Sequence, residues 1–124
     1  MEEIVVLKVA PHCSPEIVSL ENELHSLQEA VSIGAPEVGL IEIVSIDEKT
    51  CILCNEEGKI LGLEPNCRFG MDVLCGVFYV VGQDGEGNLT SLSSAEIEKY
   101  QLIFGEPETI DPAEVFMSAK FFVL

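Results

Sequence analysis

LIEIVSIDEKTCILCNEEGK, residues 40–59, is the stretch on which the fold turns. Its first seven residues are dominated by β-branched side chains and read as a strand. DEKT then supplies a polar turn, and TCILCN follows as the next strand. Two strands joined by so short a connection run antiparallel. Within NEEGK, Gly58 is suited to the positive φ that closes a tight hairpin loop, after which KILGL (59–63) is expected to run back as another strand.

Reading onward, EPNCRFG is expected to be a loop, with Pro65 and Gly70 as its breakers. DVLCGVFYVVG (72–82) is the most strand-like run in the chain, and Gly76 inside it predicts a bulge or a close backbone approach. QDGEGN has the composition of an exposed tip. Ser93 and Glu96 then have capping-box spacing, Leu92 is placed to staple against Ile97, and Ile97, Tyr100, Ile103 and Phe104 form an apolar stripe. Gly105 ends that helix. Asp111 before Pro112 predicts a short third helix ahead of the tail KFFVL.

Reading backward, residues 3–10 suit a strand buried on both faces, PHCSP a turn, and EIVSL (16–20) a second strand. Leu20, Leu24, Leu27 and Val31 fall at helical spacing behind Asn22 as N-cap, which predicts a helix over 23–32 ended by Gly34, Pro36 and Gly39. The sum is an α+β domain: a mostly antiparallel sheet of five to six strands with two to three helices. All 124 residues are expected to form one domain, with residues 106–124 as a short helix and tail.

Charge narrows the function. The chain holds six Lys and Arg residues against 22 acids, a net charge of -16, and its cations are scattered. Direct binding to nucleic acid or to an anionic membrane surface is therefore not expected, whereas a basic protein partner is. Two glutamates precede the first apolar run and no run approaches the length of a bilayer span, so a cytoplasmic protein is expected. The cysteines, five and odd in number, read as reduced thiols.

Cys51 and Cys54 raise the question of a metal or redox site. Positions three apart on a strand point to opposite faces, and Ile52 and Leu53 are poor turn residues, so buried strand thiols are the simpler reading. His12 and Cys13 are adjacent, and adjacent ligands rarely serve one tetrahedral ion. These four remain weak metal candidates, and no cofactor is expected. Close acid pairs such as Glu56 and Glu57 follow from composition alone. No catalytic constellation stands out, so a non-enzymatic protein is expected.

Asn55, Glu56, Glu57, Gly58, Leu61, Pro65, Asn66, Asp72, Gly76, Gly82 and Thr90 to Leu92, taken in order, resemble a family of small bacterial and phage proteins filed as domain of unknown function 3846. The resemblance covers about residues 4 to 105. It implies a protein of phages, plasmids and integrated elements and assigns no activity. Relatives place a basic residue directly after the Pro-Asn pair; here Cys67 intervenes and Arg68 comes one later. Asn55, Glu56, Asn66 and Arg68 are the candidate binding residues, as polar groups in loops beside buried strands. Ordinary turn chemistry explains the asparagines equally well.

Three readings follow: a protein-interaction accessory factor of a mobile element, a small-molecule or metal-binding module using residues 55–76, and a DNA mimic acting on a nucleic-acid-binding protein. A homodimer would cover the apolar tail FFVL.

Overall fold

The structure, a computed structural model, describes residues 2–120. Its elements run β1 (Glu3–Val9), β2 (Glu16–Glu21), α1 (Leu24–Val31), β3 (Ile41–Ser45), β4 (Thr50–Asn55), β5 (Pro65–Phe69), β6 (Asp72–Cys75), β7 (Phe78–Gln83), β8 (Leu89–Thr90), α2 (Ser94–Ile103) and α3 (Pro112–Lys120). The larger sheet has the order β2-β1-β7-β4-β3, with β8 on the end of β7, and β5-β6 form a separate pair. Every described pairing is antiparallel. The fold is α+β with three helices, as the sequence predicts.

Parity along the strands builds two cores. On one face Leu7, Val9, Ile52, Cys54, Phe78 and Val80 pack with Cys67, Leu74, Leu92 and Tyr100, so α2 and the small sheet cover that side. On the other, Ile4, Val6, Cys51, Leu53, Tyr79 and Val81 pack with Leu27 and Val31 of α1. A third cluster, Leu63, Val73, Cys75 and Ile110, seats Val115 of α3 beside the small sheet. β4 and β7 are buried on both faces, which accounts for their nearly uninterrupted apolar sequence.

Several expectations are corrected. KILGL is not a strand. Backbone bonds Leu61 N to Glu57 O (2.9 Å) and Leu63 N to Gly58 O (3.0 Å) coil residues 56–62 into a compact turn. Gly62, not Gly58, carries the positive φ there. Gly58 is needed for another reason: a methyl group on it would stand 2.8 Å from Cys75 O. EPNCRFG is mostly strand, because β5 pairs with β6 and buries Asn66 and Cys67.

The run 72–82 divides at Gly76, whose φ of 83° redirects the chain from the small sheet to the large one. The N-cap of α1 is Glu23, which accepts from the His25 and Ser26 amides, while Asn22 donates to Leu89 O. Leu24 and Ile103 leave their predicted stripes and are 65% and 57% exposed. The capping box of Ser93 and Glu96 and the Asp111 cap of α3 are present. The tail FFVL lies outside the described residues.

Candidate functional site

The candidates Asn55, Asn66 and Arg68 turn out to be spoken for. Asn55 is buried; its Oδ1 accepts from Glu57 N at 2.8 Å, which starts the 56–62 turn. Asn66 is buried, and its Nδ2 donates to Val9 O and Gly76 O, each at 2.8 Å. Arg68 donates through Nε and Nη2 to both carboxylate oxygens of Glu114, at 2.6 and 2.8 Å, and through Nη1 to Glu108 at 2.9 Å. That fork ties α3 to β5. Glu56, exposed like Arg68 but without a cationic partner among the described residues, stands on the rim of a cleft.

The weak metal candidates do not converge. Cys51 and Cys54 belong to opposite faces of the sheet. His12 Nε2 meets Glu64 Oε1 at 3.0 Å, and Cys13 is exposed beside it. Burial pushes the Cys51 thiol up to about 11. Burial, then the Glu42 carboxylate, pushes Cys54 up to about 12, and burial pushes Cys67 up to about 12. Cys75 is raised as well, first by burial. Burial thus holds these thiols in the protonated form near neutral pH, which makes them poor nucleophiles. Among the described residues no three His, Cys, Asp or Glu side chains are grouped to hold a metal ion.

What the fold does build is a cleft of about 450 Å³ between β4, β6 and the 56–62 turn. Cys54, Ile60, Val73, Leu74 and Cys75 give it apolar walls. Glu42, Glu56, Lys59 and Asp72 stand around it, and Lys59 is paired to Asp72. Among the described residues neither Glu42 nor Glu56 has a cationic partner. The cleft thus offers an apolar floor with an uncompensated negative rim, suited to a cation on an apolar stem.

Glu42, Lys59 and Leu74 were missed as site residues because Lys59 was assigned to a hairpin strand and Leu74 to a continuous one. The signal for Glu42 was available: closing the DEKT turn sets Glu42 opposite Cys54.

The class defined by fold and site is a small, strongly acidic α+β domain with an acid-rimmed apolar cleft. The chain belongs to the family described as Domain of unknown function (DUF3846), which matches residues 1–105. No curated protein and no solved structure matches it significantly. The third helix lies beyond the matched span and still packs on β6. No described helix is long and apolar enough to cross a membrane.

Proposed function

We propose that this chain is a non-catalytic binding protein that holds a basic segment of a partner protein at the cleft between β4, β6 and the 56–62 turn. The observation that carries the reading is the unpaired acid rim, Glu42 and Glu56, over apolar walls. Burial of Cys51, Cys54, Cys67 and Cys75 supports a binding role over a reaction at those four thiols. A net charge of -16 favours encounter with a cationic partner. A cytoplasmic location and an accessory role in a phage or other mobile element belong to the same proposal; the latter rests on the family resemblance.

The test is a titration with a lysine-rich peptide at low and high salt. Glu42→Gln and Glu56→Gln should each weaken binding roughly two- to fivefold at low salt, the scale of an exposed ion pair. Unchanged affinity in both variants would overturn the cleft as the site. A DNA mimic would instead spread contacts over a broad acidic face, so its affinity for a DNA-binding protein would survive both changes.

A second reading is favoured by the cleft's size. A volume of about 450 Å³ falls within the range of small-molecule pockets, so a small apolar cation fits the same walls. Extra mass on the natively purified protein that vanishes on denaturation would support that reading.

A further inference from the structure

Strand β3 closes one end of the larger sheet, and no described residue pairs with its outer side. Its orientation follows from two bonds that flank it, Glu56 N to Leu40 O at 3.0 Å and Ile46 N to Thr50 O at 2.9 Å. In an antiparallel ladder hydrogen-bonded residues alternate, so residues 40, 42, 44 and 46 address β4. Ile41, Ile43 and Ser45 therefore aim their N–H and C=O groups outward.

The same alternation sorts the side chains. Ile41 and Ile43 share a face with Leu53, and Glu42 shares the opposite face with Cys54, beside the cleft. Ile43 is 59% exposed, and Leu40 and Val38 just before the strand are exposed too. Natural edges are usually blunted by charge. The opposite edge, β2, follows that rule, with Glu16 and Glu21 at its ends and Glu21 accepting from Ser26 of α1. β3 has an apolar centre with an acid set on one face.

We infer that the outer edge of β3 is a strand-addition site for an extended segment of a partner protein that alternates cationic and apolar residues. The segment lies antiparallel, with its apolar side chains beside Ile41 and Ile43 and its cationic ones on the Glu42 side, over the mouth of the cleft. Backbone bonds to Ile41, Ile43 and Ser45 give affinity, and the two faces give specificity. Charge selects this occupant over a second copy of the chain, because two copies would each bring a net charge of -16. The inference rests on the proposed binding function and names its partner chemistry and mode.

The test uses the full chain and three end-blocked peptides of alternating lysine and valine, roughly ten residues long. One is unmodified, one is N-methylated at its valines and one at its lysines. In antiparallel addition the residues that exchange hydrogen bonds with Ile41 and Ile43 have side chains on the same face, so valine amides point at β3 and lysine amides away. Methylating the valines should weaken binding at least about tenfold, and methylating the lysines should leave it nearly unchanged. Amide exchange at Ile41, Ile43 and Ser45 should slow in the complex.

Ile43→Pro gives a second measure, since that N–H faces outward and edge strands tolerate proline there. The variant should keep its fold and lose peptide affinity about tenfold. Equal binding of all three peptides, with Glu42→Gln still weakening it, would overturn strand addition and leave the cleft reading standing. No binding of any peptide at low salt would overturn both. Concentration-dependent protection of Ile43 in the free protein would give the edge to a second copy and overturn the inference.

Discussion

The side-chain amide of Asn66 bridges Val9 O on β1 and Gly76 O at the junction of β6 and β7, and so joins the two sheets. Replacing it with alanine leaves two buried carbonyls without that donor, and Asn66→Ala should cost about 2 kcal/mol in denaturant unfolding. Gly76 is constrained beside it: its φ is 83°, and a methyl group would stand 2.8 Å from Leu63 Cδ1. Gly76→Ala should be destabilising by about 1–3 kcal/mol. The five thiols should divide by access, with a mild thiol reagent near neutral pH modifying exposed Cys13 first and the four buried cysteines only on unfolding. The separation of Cys51 and Cys54 was legible from strand parity alone. Asn66 was not, because one of its partners lies 57 residues away and nothing local distinguishes a bridging asparagine from a turn asparagine.

At the scale of elements, α1 is capped by Glu23 and not by the expected Asn22, whose side chain is drawn to Leu89 O, 67 residues away. The starts of α2 and α3 were readable, because a cap is a contact among neighbours in sequence. The Ser93–Glu96 box is the clearest case, and Ser93→Ala should cost about 1 kcal/mol. The Ser93 amide holds the Glu96 carboxyl below its ordinary 4.5. A group whose folded value is depressed stabilises the protein above its unfolded value and loses that stabilisation as pH falls through the folded one. Wild type should therefore lose stability on acidification below about 4.5, and Glu96→Gln, which keeps the cap geometry, should lose less over the same interval in urea midpoints. KILGL is expected as the returning strand of a hairpin closed at Gly58, but the positive φ falls at Gly62, and Ile60, 83% exposed, shows the apolar run yielding to a turn held by the Glu57–Leu61 backbone bond. β5 was hidden by Pro65, which is compatible with the first position of a short strand. Arg68 anchors α3 from that strand, and because its ion pairs are partly exposed, Arg68→Ala should lower global stability by less than about 1 kcal/mol while speeding amide exchange in α3.

For the whole molecule, the mostly antiparallel sheet was legible from apolar runs and polar turns, and the acidity from a count of residues. The cleft was not, since it is assembled from β3, β4, β6 and a turn whose arrangement depends on the sheet order. Charge dominates behaviour at this scale. At -16 the folded chain repels itself, so raising ionic strength at neutral pH should raise its thermal midpoint while weakening attachment to a cationic partner. The central claim is that the acid-rimmed cleft and the β3 edge together receive a basic extended segment. The most direct measurement is amide chemical-shift mapping of the wild-type protein titrated with the alternating lysine and valine peptide at low salt. Saturable shifts concentrated on residues 40–45, 54–60 and 72–75, fading as salt is added, are the expected result. Shifts scattered over the acidic surface, or none at all, would contradict it.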